Sequence, residues 1–428
     1  MTRRFPASLP TALRAGAAMA RSSTSCKLAI ALILLSGPAL TQIATSQESS
    51  QTTATTTSSV AYIYVQTKEG IDAFSASSTG QLTQVKGSLF ADSGQMGAIN
   101  DSYLVSVGTS MIRAYPIEAN GAVGKQVSEA DTVQNDGSGC GTNLGGALFD
   151  HTGKYLYVLL STGDSNSNNP CSALQSYQIE SNGSLVFLGE AVVDNGYHGL
   201  DLAEGINTIS GNDNFAYGVW GDIYTNEFDS YARESGGALM TNKNFSEVDP
   251  TPNPAGANDP DDPASNDDSY YPLLVAADPA NHLAAVMYEF FNGNPPSPQL
   301  ACYTINSNGS ITSNNTWENM PSTAFYPNTI AMSWTGTKLA VAGAGVQIFN
   351  FNGAAPMTEA ASLPDSSRNF NQLAWDKNNH LYALDYDTGD LYVYTVSGTT
   401  ITAAPGSPYT IPDNVKPYYQ YGLIVVPK

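Results

Sequence analysis

Apolar and polar residues alternate along this chain in short runs, and seven of the runs share one ending. Each has the form apolar-x-x-aromatic: "IDAF" ending at Phe74, "IRAY" at Tyr115, "LQSY" at Tyr177, "FDSY" at Tyr231, "LACY" at Tyr303, "VQIF" at Phe349 and "LYVY" at Tyr394. A period of two marks a β-strand with distinct faces. A Gly-x-apolar turn follows most of them, as in "TGQL", "NGAV", "NGSL", "GGAL", "NGSI" and "GTTI". Successive aromatic endings lie 41, 62, 54, 72, 46 and 45 residues apart, so the short spacings are the unit and the long ones carry insertions. A unit of that size holding four short strands predicts a propeller blade.

A second strand pair precedes each motif. The third unit shows it best: "GGALFD", the turn "HTGK", then "YLYVLLS". The order within a blade is therefore inner strand, turn, second strand, loop, third strand, turn, outer strand. The repeat begins mid-blade, at the second-strand pattern "AYIYVQT" from Ala61, and "YGLIVVP" at 421–427 supplies the missing inner strand. The prediction is an all-β, seven-bladed β-propeller over residues 60–428. Its blades are four-stranded and antiparallel, and its C-terminal strand completes the first blade. Closure removes the long exposed edge that an open array would present.

His151, His282 and His380 all fall at the turn between first and second strands, where polar residues are expected, and are read as structural. Only His198, in "NGYHGLDL", lies elsewhere. The starts of the innermost strands line the mouth of the central channel. They hold His198, Asp201 and Glu204, then Tyr271, Tyr326 and Asn328, then Arg368, Asn369 and Asn371, and finally Tyr418 and Tyr421. Aromatic rings and amides suit a neutral polyol or sugar, by stacking and uncharged hydrogen bonds. The longest insertions, 161–170, 248–269 and 291–299, all fall on this face, which is where binding usually resides.

Composition changes the picture at the N-terminus. Residues 1–27 hold five basic and no acidic residues, and the apolar run Leu28–Leu40 follows, too short to span a bilayer. The pattern predicts a signal peptide over 1–46, cleaved after "ATS", then a flexible Ser/Thr-rich linker over 47–59. The chain is thus expected to be exported to the periplasm, cell surface or medium, with no transmembrane segment once matured. Without residues 1–46, 12 basic side chains face 38 acidic ones, a net charge of −26 against −21 for the whole chain. So acidic a surface argues against nucleic acid and weakens any phosphorylated substrate. Export makes a disulfide feasible. Cys140 and Cys171 meet on the insertion-rich face of blade three and are the expected pair, while Cys302, inside a strand pattern, is expected to be a buried thiol.

The loop "NDPDDPASNDD" brings Asp259, Asp261, Asp262, Asp267 and Asp268 together. Carboxylates so close could bind calcium, but the spacing matches no calcium loop and the prolines oppose a tight coil. A solvated acidic loop is expected, with no cofactor. HExxH, P-loop, GxSxG and CxxC motifs are absent.

The stretches "YIYVQTKEGIDAFSASSTGQLTQVKGSLF", "HTGKYLYV", "LQSYQIESNGSL" and "APGSPYTI" resemble the seven-bladed lactonase-like propeller family, which includes bacterial 6-phosphogluconolactonase and the carboxymuconate cycloisomerases. The resemblance spans most of residues 60–428. It implies an enzyme with a histidine shortly before the turn of one blade and Arg and Glu nearby. The matching position in blade three is Gly145, and no other blade offers a histidine there. His198 with Glu204 is the nearest substitute for the base, and Arg368 the candidate oxyanion partner. Two readings follow. One is an exported lactonase-like hydrolase of a neutral sugar-type lactone. The alternative is a non-catalytic, monomeric propeller that binds a glycan, cell-wall fragment or protein through its insertion-rich face.

Overall fold

A computed structural model describes residues 58–67, 69–90, 95–108, 110–132, 143–161, 171–194, 202–221, 226–242, 270–289, 297–316, 318–411 and 422–428. Two compact units are distinguished, residues 1–55 and 56–428, and the described residues belong to the second. Its strands form seven antiparallel sheets, six of four strands and one of five. Blade three runs Asn143–Phe149, Tyr155–Ser161, Cys171–Ile179 and Leu185–Asp194, from the axis outward. The seven aromatic motifs are the third strands, as the spacing predicted. Blade seven adds a short fifth strand, Tyr409–Thr410, paired with its third.

The ring closes as expected. Leu423–Pro427 pairs with Ala61–Gln66, with Ala61 opposite Pro427 and Val65 opposite Leu423. The seven innermost strands touch one another in an unbroken cycle. Second strands are buried on both faces: Ala61 to Val65 and His380 to Asp385 show no exposed position. A strand sandwiched between two neighbouring blades has no solvent side, so it reads as a continuous apolar run rather than an alternation. The core follows suit. Seven apolar clusters each join one blade to the next, for example Ile63 and Val65 with Tyr382, Leu384 and Val393 across the closing seam.

One contact recurs at the seams. The residue opening each second strand, or in blade one the residue after it, lies against the glycine turn between third and fourth strands of the next blade. Tyr62 meets Gly121, Tyr103 meets Gly183, Tyr155 meets Gly237, Phe215 meets Gly309, His282 meets Gly353, and His380 meets Gly80 across the closure. In the remaining seam Lys338 Nζ donates to Gly398 O at 3.4 Å. Two positions further on, Tyr64, Tyr157 and Tyr217 donate their hydroxyls to the carbonyls of Gly121, Gly237 and Gly309 at 2.9, 2.9 and 2.8 Å. Burial raises all three phenols, Tyr157 to about 12, so each stays a hydrogen-bond donor.

The turns between first and second strands carry a second device. A side-chain oxygen at the turn's entry accepts amides from the residues that leave it. Asp150 takes Lys154 and Tyr155, Asp278 takes His282, Asp376 takes His380, and Ser210 and Ser333 take Phe215 and Lys338. The histidines fit this frame. His282 and His380 open their second strands, each with Nδ1 on the turn carboxylate, Asp278 at 2.9 Å and Asp376 at 2.7 Å. His151 reaches across to blade four, where its Nδ1 lies 2.6 Å from Asp213 Oδ1 and its amide donates to the same oxygen.

The hydrogen bond to Asp213 raises His151 above its ordinary 6.5, against the effect of burial. Burial works to raise Asp213, but the two bonds from His151 outweigh it and hold the carboxyl below 3.8. The histidine's contribution to stability is therefore complete below 6.5 and lost as pH rises through its folded pKa. The aspartate's is complete above 3.8 and lost as pH falls through its own. Asp213→Asn is expected to return the His151 midpoint toward 6.5 in an NMR titration. Tyr217→Phe should cost about 1–2 kcal/mol in denaturant unfolding, because the Gly309 carbonyl loses a buried donor. Gly309→Ala should cost about 2 kcal/mol or more: Gly309 has a φ of +84°, and a Cβ there would stand 2.5 Å from the Phe215 ring.

Candidate functional site

The first strands begin at the channel mouth, and several carry an irregularity there. In blades two, three, five and seven the register skips one residue, at Gly97, Gly145, Leu273 and Asn371; in blade four it shifts twice, between Ala203 and Ile206 and again at Asn207. A bulge bends the strand and re-aims the extra residue's side chain. Gly145 and Asn371 thus occupy corresponding places around the axis, each set off by the same skip against its second strand.

Of the predicted site residues, His198, Asp201, Tyr418 and Tyr421 lie outside the described residues, as do Cys140 and the acidic loop. Glu204 lies in the strand Leu202–Ile209, Tyr271 in Tyr270–Ala277, and Cys171 opens Cys171–Ile179. Tyr326, Asn328, Arg368, Asn369 and Asn371 are described, and Asn328, Asn369 and Arg368 are linked in one patch between blades six and seven.

The patch is held by a relay. Asn328 donates through Nδ2 to Asn369 Oδ1 at 2.8 Å and to Phe370 O at 3.1 Å. Asn369 donates to Asp387 Oδ1 at 3.4 Å, and the Asp387 amide donates to Asp385 Oδ1 at 3.0 Å. Tyr386 is tied in through its backbone, its amide donating to Asn369 O at 2.8 Å. Tyr326 and Tyr386 are 57% and 48% exposed, unlike the tyrosines of the seams, and the Tyr326 ring meets Tyr288 edge-on at 6.3 Å. Asn371 Oδ1 is buried with no hydrogen bond.

Arg368 has an unforeseen setting. Its guanidinium lies over the Tyr392 ring of the third strand, 4.9 Å from the centroid. Nε is 3.4 Å from Asp365, which follows the outer strand of blade six, and Nη1 is 3.6 Å from Asp385, which ends the second strand of blade seven. Asp365 is held below its ordinary value by hydrogen bonds from the Ser367 hydroxyl and amide. Both ion-pair distances exceed the 2.7–2.9 Å of a strong charge-assisted bond, so the arginine keeps donors for a ligand. Asp365, Asp385, Tyr386 and Asp387 were not singled out from sequence. The one signal available was the i−3 spacing of Asp365 before Arg368.

No group of three or more His, Cys, Asp or Glu side chains that could hold a metal is found among the described residues. Among them, too, no helix is long and apolar enough to cross a membrane.

No family model matches the chain, and no curated protein matches it. Solved structures do. A protein of Bacteroides uniformis described as a "putative 6-phosphogluconolactonase" superimposes with a TM-score of 0.56 at 11% identity, over 86% of this chain and 99% of that one. A protein of Bacteroides fragilis with the same description gives 0.53 at 13% identity, over 87% and 99%. The periplasmic gluconolactonase of Pseudomonas aeruginosa gives 0.54 at 13% identity, over 81% and 97%. The fold is that of the lactonase-type propellers. At such identity the likeness is one of architecture, and it matches the resemblance seen in the blade motifs.

Cys302 is a free, buried thiol in the third strand of blade five, as its strand pattern implied. Burial pushes it up to about 12. Thiolate is the reactive form, so a maleimide or disulfide reagent at pH 8 should leave Cys302 unlabelled in the native protein and label it after denaturation, as read by peptide mass mapping.

Proposed function

We propose that this chain is a lactonase-like propeller that hydrolyses a neutral sugar-type lactone at the channel mouth. The observation that carries the reading is the pair of linked amides, Asn328 and Asn369, on a face that also presents the exposed Tyr326 and Tyr386 and, through Asp385 and Asp387, Arg368. Amides offer both donors and acceptors to ring hydroxyls, and tyrosine faces stack on the apolar side of a sugar. The kinship of fold with a periplasmic gluconolactonase supports the same reading.

In the reaction, water attacks the lactone carbonyl and gives its proton to a base. His198, with Glu204, is the proposed base. The carbonyl oxygen gains charge, and a free N–H of Arg368 faces it. The ring C–O bond then breaks, and the proton passes to the departing alkoxide oxygen, leaving a hydroxy acid. Asp201, Tyr271, Tyr418 and Tyr421 are proposed to complete the pocket. We further propose export directed by residues 1–46, a linker over 47–59, a Cys140–Cys171 disulfide, a monomeric state and no resident cofactor. The basic stretch followed by a short apolar run supports export.

The alternative, a glycan-binding propeller without catalysis, is favoured by one observation: Gly145 stands where lactonase-like relatives carry histidine. A single experiment separates the two. The protein lacking residues 1–46 is offered glucono-δ-lactone in a pH-stat, alongside a thermal-shift screen of lactones and free glycans. Turnover above the spontaneous rate, reduced roughly a hundredfold or more by His198→Ala, is expected. Turnover untouched by that substitution would sink the assignment of His198. No turnover, with a lasting thermal shift from an unreacted glycan, would establish the binding module.

A further inference from the structure

Arg368 is the described cation of the patch, and it is outnumbered. Asp365 and Asp385 both face it, so one positive charge meets two negative ones, a net of −1. The other described arginine near this face, Arg113 at the start of a third strand, is also matched, with Glu129 at 3.9 Å.

The decisive partner is Asp385. Its side chain is 0% exposed, its Oδ1 is taken by the Asp387 amide, and among the described residues its Oδ2 has no hydrogen bond and lies 3.6 Å from the Arg368 guanidinium. A buried carboxylate stripped of its counter-ion is heavily penalised, on the order of a hundredfold or more in any equilibrium that draws the arginine away. A phosphate dianion demands that withdrawal, because arginine grips it through two short, parallel contacts. It also meets the net negative patch. An uncharged lactone demands neither. Its hydroxyls meet the amides, and its carbonyl needs only one N–H from the exposed edge of Arg368, whose side chain is 29% exposed.

We propose that Asp385, aided by Asp365, is a selectivity determinant: by holding Arg368 it admits uncharged lactones and refuses phosphorylated ones. The proposal deepens the lactonase reading above and, for the lactone itself, rests on it. The two can be tested apart. Asp385→Asn and Asp365→Asn are each made in the intact protein. Asp365 is at the surface, so its variant decides the matter should Asp385→Asn fail to fold. Binding of inorganic phosphate is measured by calorimetry at pH 8, with no need for turnover. Asp385→Asn is expected to bind phosphate about a hundredfold tighter than the parent and the surface variant Asp365→Asn roughly tenfold. The ratio of kcat/KM for 6-phosphogluconolactone to that for gluconolactone should rise by a similar factor. Phosphate affinity unchanged in the folded variants overturns the proposal, whether or not any lactone is hydrolysed. Tighter phosphate binding in the variants, with no lactone hydrolysed by the parent, would remove the lactonase reading and leave the charge gate standing.

Discussion

Everything in this ring depends on how one blade is indexed to the next. The index is a side chain set against a glycine turn, made at six seams, with a lysine-to-carbonyl bond at the seventh. The apolar clusters between blades are large but non-directional, and alone they would let blades slide. The turn contact is steric and directional, and at three seams a tyrosine hydroxyl locks it. Bulk apolar packing supplies the stability, while the turn contact sets the angle from which the channel mouth inherits its shape.

Much of this could be read from the chain. The third strands announced themselves through their aromatic ends, because an alternating strand with one fixed aromatic per repeat is hard to produce by chance. The closing strand was legible because "AYIYVQT" lacked an inner partner and "YGLIVVP" lacked a blade. The histidines at the turns could be set aside for the same reason: a residue type recurring at one structural position is architecture. Their finer role was hidden. Nothing in "KNNHLYAL" says that His380 will rest on Gly80, some 300 residues away, since that contact exists only after closure.

The site was less legible. Arg368 looked like an available cation because its neighbours in sequence are Ser367 and Asn369. Its governing partner, Asp385, stands at the far end of the next strand, and only the register of blade seven brings it near. The bulges posed a similar difficulty. A one-residue skip leaves no compositional mark, yet it decides which way the residues of the first strands turn at the mouth. In both cases the missing information is pairing register, which local pattern does not encode.

The two faces have diverged in chemistry. On one, turns are short and capped, and neighbouring blades are stitched by Asn100 to Gly153, by the Asn212 amide to Asn281, and by reciprocal indole bonds from Trp334 to Trp375 O and Trp375 to Ala331 O. The other face holds the mouth, the unpaired Asn371 oxygen and the exposed tyrosines. The closing strand bears on synthesis as well as on architecture. Ala61–Gln66 leaves the ribosome early, and its partner Leu423–Pro427 follows more than 350 residues later. At about 5–20 residues per second, the first blade waits for roughly 20–70 s with an unfilled edge. A chain that cannot finish folding until its last strand arrives remains an open, threadable polymer throughout its own translation.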